Sequence, residues 1–153
     1  NHKSTGRPAL PAPDQVFWSH YTDEANSPLY PFGYGLSYTS FEYEDLKVSN
    51  TFAKDQTVSV SVVVSNTGKR SGKATAQLYL KDEFASVTRP VRELKAFEQV
   101  ELEAGERKEL TFQLTDEDLG FYNNQGEFVV EEGSFKVFIG GDSQAQLSEN
   151  FNL

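Results

Sequence analysis

From residue 57 onward the chain alternates apolar and polar side chains with a period of two. In "TVSVSVVVSN" (57–66), Val58, Val60, Val62 and Val64 share one face, while Ser59, Ser61 and Val63 share the other. "KATAQLYL" (73–80) repeats the arrangement, with Ala74, Ala76, Leu78 and Leu80 on one side. Leu110, Phe112 and Leu114 alternate, and so do Phe135, Val137 and Ile139. Successive side chains of a strand point to opposite faces, so this period predicts half-buried strands of antiparallel sheet. Turn-forming clusters separate them: "NTGKRSG" (66–72), "EAGE" (103–106), "NNQGE" (123–127) and "EEG" (131–133). "TDEDL" (115–119) reads as one helical turn with Thr115 as its N-cap.

These signals predict an all-β domain of about seven antiparallel strands, the count of an immunoglobulin-like or fibronectin type III-like sandwich. Residues 41–153 are assigned to that sandwich, and a core of this size is large enough to fold alone. Residues 1–40 differ. They hold Pro8, Pro11, Pro13, Pro28 and Pro31, both histidines and the single tryptophan, without sustained periodicity. "RPALPAPDQ" (7–15) should be extended, because each proline restricts itself and the residue before it. The expectation is an irregular N-terminal extension acting as a connector. Its end is unusual: "SPLYPFGYGLSYTSFEYEDL" (27–46) gathers six aromatic rings around two prolines and two glycines.

Composition narrows the functional classes. A length of 153 residues suggests one domain with an appendage, and 24% charged residues place it among globular chains. A net charge of -9 disfavours nucleic acid and anionic membrane as partners, since both reward Lys and Arg. No apolar run is long enough to span a bilayer, and no signal peptide is visible. The absence of cysteine removes disulfides, thiolate zinc sites and thiol catalysis together. The absence of methionine predicts a fragment or a matured product, with chemistry located in the missing part.

Catalytic constellations are not evident. Sugar hydrolysis needs two carboxylates facing each other across the scissile bond. The acidic groups Asp23–Glu24, Asp116–Glu117–Asp118 and Glu131–Glu132 lie in turn or loop contexts and read as solvated surface. His2 and His20 lie in the extension with no nucleophile motif nearby, and two distant histidines make a poor metal site. "GYG" (33–35) follows no strand and opens no helix, so it predicts no phosphate site. The expectation is therefore no catalytic residue, no cofactor and no metal. Exposed rings at Tyr30, Phe32, Tyr34 and Tyr38 would suit stacking on sugars; the favoured reading is that they anchor the extension against a neighbour.

The residues also carry a family resemblance that covers essentially the whole chain. "PLYPFGYGLSYTSFEY" (28–43) resembles the stretch that enters the fibronectin III-like domain of glycoside hydrolase family 3 enzymes. "NTGKRSGKATAQLYLKD" (66–82), "TRPVRELKAFEQVELEAGE" (88–106) and "EEGSFKVFIGGDS" (131–143) keep register with it. "NHKSTGRP" (1–8) is similar to the loop leaving the family's α/β sandwich domain. Departures are small: Ala96 stands where glycine is common, and Ala104 and Glu132 stand where proline is common.

The resemblance implies a parent that hydrolyses terminal β-glucosides with retention, with a β-xylosidase parent as the alternative. It also implies that the nucleophilic aspartate and the acid/base glutamate lie in other domains, leaving this chain inactive alone. The first expectation is then a structural domain docked on those catalytic domains. Its predicted interface is Trp18, Tyr21, Tyr30, Phe32, Tyr34, Leu36, Tyr38 and Arg89, the last either forking across the boundary or standing as a plain surface arginine. A carbohydrate-binding module is the second reading, with Tyr79, Phe84, Phe97, Phe121 and Tyr122 as available rings; an adhesion module is a third. A homo-oligomer through the extension is a further possibility, by exchange onto another copy. A periplasmic or secreted parent is implied, with a cytoplasmic one still open.

Overall fold

Alternation becomes strand here because each apolar face meets another apolar face. The structure, a computed structural model, describes residues 28–49 and 57–153. In chain order the elements are β1 (Phe41–Ser49), β2 (Val58–Asn66), β3 (Gly72–Asp82), β4 (Glu93–Leu102), β5 (Arg107–Leu114), α1 (Asp116–Leu119), β6 (Phe121–Tyr122), β7 (Phe128–Val129), β8 (Ser134–Gly140) and β9 (Leu147–Asn152). One sheet has the order β1-β2-β5 and the other β4-β3-β8-β9; β6 and β7 form a small separate hairpin. All pairings are antiparallel. The two larger sheets bring seven strands together as an all-β sandwich, as the alternation predicts.

Register decides what the core contains. Val60 sits opposite Phe112 and Val62 opposite Leu110 in the first sheet. Leu78 sits opposite Ile139 and Leu80 opposite Val137 in the second. These residues, with Val58, Val64, Ala74, Ala76, Val100, Leu102 and Leu114, form one buried cluster between the sheets. Phe135 and Phe151 stack within it, ring centroids 5.4 Å apart. Both edges of the period are kept: Ser59 and Ser61 face outward, where their neighbours are polar or half-exposed.

The predicted turns close as expected from their chemistry. Thr115 caps α1, and the Asp118 carboxylate accepts from the Thr115 amide at 2.8 Å, tying the first turn to its start. Two irregularities bend the strands. β1 slips register between Glu44 and Lys47, with Asp45 in left-handed backbone at φ 53. β3 and β4 slip between Leu78 and Tyr79, beside Ala96.

Asn66, at the end of β2, is a buried polar hub. Its Nδ2 donates to the Arg70 carbonyl at 2.7 Å and the Leu102 carbonyl at 3.0 Å. Its Oδ1 accepts from the Gly68 amide at 3.1 Å and the Thr39 hydroxyl at 2.7 Å. All four side-chain valences are used, which is what burial of an amide requires.

Leu78 is 0% exposed at the centre of the core. Leu78→Ala should lower the unfolding free energy by about 2–5 kcal/mol. Denaturant titration checks this, with the slope of the transition unchanged if the sandwich remains the folded state.

Candidate functional site

The aromatic stretch is held by its backbone, not by its rings. Pro31 to Tyr34 form a tight turn, closed by the Tyr34 amide donating to the Pro31 carbonyl at 3.1 Å. Gly33 occupies its third position at φ +83, where a side chain would be strained. A Cβ there would also lie 2.0 Å from Gln77 Oε1, so glycine is required twice over. The Gly33 carbonyl accepts from Gln77 Nε2 at 3.0 Å. The Phe32 carbonyl accepts from the Ser143 amide at 2.9 Å, with the Tyr79 hydroxyl 3.4 Å away. Thr39 then bonds Asn66, and a Cβ on Gly68 would fall 2.0 Å from its hydroxyl. Residues 28–40 therefore lie on their own sandwich, gripped near both ends.

The seat comes from the outward face of β3. Ala74, Ala76, Leu78 and Leu80 point to the core, so Gln77 and Tyr79 point away from it. Both are nevertheless buried, at 6% and 2% exposed. Tyr79 donates its hydroxyl to Gln77 Oε1 at 2.5 Å, and Gln77 Nε2 also donates to the Gly141 carbonyl. Arg92 lies 3.8 Å from the Phe138 ring centroid and donates to the Ser143 and Ala145 carbonyls at 2.8 and 2.9 Å. It thus holds the loop whose Ser143 amide grips Phe32. Burial pushes the Tyr79 phenol up to about 12, helped by Asp142 and opposed by Arg92. Burial also pushes Tyr43 up to about 12, again with Asp142 adding to it. Burial lowers Arg92 from its ordinary value, against the pull of Tyr79.

With the backbone fixed, the apolar side chains face outward. Tyr30, Phe32, Tyr34, Leu36 and Tyr38 are 65%, 60%, 44%, 88% and 93% exposed. Tyr30 and Tyr34 lean together with centroids 5.1 Å apart. Leu29, which attention to rings passed over, is exposed beside them; its place between Pro28 and Tyr30 was the available signal. Trp18 and Tyr21 lie outside the described residues.

Arg89 behaves differently from a free fork. Its Nη2 pairs with Glu93 at 2.8 Å, its Nη1 donates to the Gly120 carbonyl at 3.4 Å, and its guanidinium lies 4.8 Å from the Phe121 ring centroid. Burial works to raise the Glu93 carboxyl, but hydrogen bonds and charge from Lys95 and Arg89 outweigh it and leave it low.

The other candidate chemistry disperses. Of the rings offered for a glycan platform, Tyr79 and Phe121 are buried, while Phe84, Phe97 and Tyr122 are exposed on a loop, an edge strand and the small hairpin. The Asp118 carboxylate is occupied in capping, and Glu131 accepts from the Ser86 amide at 2.9 Å. Among the described residues no group of three or more His, Asp or Glu side chains is placed to hold a metal ion.

Two outcomes follow from the seat. Gln77→Ala leaves the Gly33 carbonyl without its donor and should destabilise the chain by about 1–3 kcal/mol. Faster amide exchange at residues 32–36 should accompany it, and unchanged exchange there would contradict the seat. Tyr79 and Tyr43 ionise near pH 12 in the folded chain, against 10.0 ordinarily. Their contribution is complete below the ordinary value and is lost as pH rises through the folded value. Circular dichroism with tyrosinate absorbance should show stability falling over that window, less steeply in Tyr79→Phe.

Comparison with known proteins agrees with this geometry. Residues 74–143 match the family described as fibronectin type III-like domain. The periplasmic beta-glucosidase of Salmonella typhimurium is 48% identical over 100% of this chain and 20% of its own length. A putative beta-xylosidase of Formosa agariphila is 46% identical over 84% of this chain and 17% of its own. Among solved structures, the beta-glucosidase of Listeria innocua superposes with a TM-score of 0.83 at 44% identity, covering 100% of this chain and 21% of that one. This chain thus spans about a fifth of the length of such relatives. It belongs to the fibronectin type III-like domains of glycoside hydrolase family 3.

Proposed function

We propose that this chain is a non-catalytic docking domain of a larger glycoside hydrolase, with residues 1–40 as its connector and residues 41–153 as the sandwich. β1 begins at Phe41, which supports that boundary. The observation that carries the reading is the display of Tyr30, Phe32, Tyr34, Leu36 and Tyr38 on a backbone already fixed by Gln77, Ser143 and Asn66. A soluble surface gains nothing by exposing five large apolar side chains in one segment, whereas covering each would contribute about 1.5–3 kcal/mol. The surface that covers them belongs to the catalytic domains, as does the pair of carboxylates that hydrolyses the sugar. Trp18 and Tyr21 extend the same contact upstream. Arg89 acts within the sandwich, holding the loop between β3 and β4 to Glu93, Gly120 and Phe121.

Relatives named beta-glucosidase support a parent that acts on β-glucosides, for which the family resemblance implies retention at the terminal sugar; the Formosa relatives support β-xylosides as the second reading. The Salmonella relative is named periplasmic, which supports an exported parent. No helix among the described residues is long and apolar enough to cross a membrane.

The contact is tested by Tyr30→Ala, Phe32→Ala and Tyr34→Ala combined in the longer enzyme. Its melting temperature should fall by several degrees, as loss of a few kcal/mol implies, while the 153-residue chain carrying the same changes should barely shift. An unaltered melting temperature in the enzyme would sink the docking reading. Binding of cello-oligosaccharides to the isolated chain at millimolar concentration would favour a carbohydrate-binding module in its place.

A further inference from the structure

A second apolar surface lies at the other end of β3, away from the Asn66 end where the arm enters the sandwich. Phe84 and Val91, on the loop between β3 and β4, are 82% and 68% exposed. Tyr122, Phe128 and Val130, on and beside the β6–β7 hairpin, are 71%, 45% and 40% exposed. The core does not account for these side chains, and the arm is joined to their loop through Arg92, which holds the Ser143 and Ala145 carbonyls beside Phe32.

The surface is built in advance. The hairpin tip is closed by Asn123, whose side-chain oxygen accepts from the Gln125 and Glu127 amides at 2.9 and 3.0 Å. Tyr122 meets Phe128 edge-on, centroids 5.4 Å apart. Phe128 lies so close over Gly120 that a Cβ there would fall 2.4 Å from its ring. Arg89 joins the loop to the hairpin through Gly120 and Phe121, and Glu131 joins them again through the Ser86 amide. Loop and hairpin are therefore one unit.

Its unpaired charge is acidic, since Lys81 and Lys95, which flank the facing loop, are paired to Glu83 and Glu93. Residues 115–134 contain Asp116, Glu117, Asp118, Glu127, Glu131 and Glu132, and no lysine or arginine. The two arginines of the facing loop are turned inward: Arg89 onto Glu93 and Phe121, Arg92 onto Phe138 and the 143–145 backbone. An apolar centre with an acidic rim repels a second copy of itself and attracts an apolar surface edged with Lys and Arg.

We propose that this end of the sandwich is a second contact surface, and that its occupant is an apolar face rimmed with Lys and Arg on the part of the longer polypeptide outside this chain. The proposal rests on the docking reading above and extends it to residues outside the arm. The relatives are about five times longer than this chain, which leaves ample protein to supply that face. Arg89 is its positioning residue: it touches no partner but fixes the loop that carries Phe84 and Val91.

Hydrogen exchange of the longer protein and of the 153-residue chain, read by mass spectrometry, tests this. Amides of residues 84–91 and 121–130 should exchange at least roughly ten-fold more slowly in the longer protein. The combined reversal Glu117→Lys, Glu127→Lys and Glu132→Lys should abolish much of that slowing while leaving the arm protected. Slowing at residues 28–40 alone overturns this proposal and leaves the docking reading standing; slowing at neither overturns both. Equal slowing already present in the 153-residue chain would assign the cover to residues 1–27, and slowing that grows with its concentration would assign it to a second copy. Slowing that appears only with added cello-oligosaccharide would assign it to glycan. Each of those three results also overturns the proposal.

Discussion

Two buried side-chain amides, Asn66 and Gln77, set the geometry on which the outer half of this domain depends. Each offers donors and an acceptor at a fixed spacing, and each is placed where water cannot substitute. Gln77 takes the Gly33 carbonyl, and Asn66 takes the Thr39 hydroxyl. A segment that forms neither helix nor strand is thereby held to the sandwich by its main chain. Hydrophobic contact alone would not do this, because it has no direction and would have drawn the rings inward. Polar attachment of the backbone leaves the rings free to face away.

That division of labour has an energetic consequence. Ordering a flexible segment costs roughly 1–2 kcal/mol per residue in backbone freedom. Here the ordering is met within the domain, by the Pro31–Tyr34 turn and the Gln77, Ser143 and Asn66 bonds. Association through such a preorganised segment loses less freedom than association through a loose one, so more of the burial of its rings goes into holding domains together. The loop at 141–146 belongs to the same device, since Arg92 fixes it and its Ser143 amide fixes Phe32. A cationic side chain lying over Phe138 does this without leaving a bare charge inside the fold.

The opposite end of β3 uses the same logic with different parts. There a turn-closing asparagine, a half-buried arginine and an acidic rim hold apolar side chains outward on a rigid base. The sandwich between the two ends is an ordinary core of valines, leucines and phenylalanines. It gives stiffness, and the specificity of the domain lies in what is attached around it.

Much of this was legible in the sequence. Period-two alternation marked β2, β3, β5 and β8, because the pleat is a local property that each strand writes for itself. Turn residues marked most connections, for Gly105 and Gly126 are choices that backbone geometry alone demands. The ring-rich segment announced itself by composition. Tertiary structure decided the rest. Gln77 and Tyr79 occupy outward positions of β3 and should have been exposed by alternation; they are buried because a segment more than 40 residues away in sequence lies over them. Arg89 resembled a free fork until Glu93, Gly120 and Phe121 converged on it. Alternation reports which side of a strand a residue takes, but cover and pairing depend on what the fold brings to that side, and no local pattern contains it.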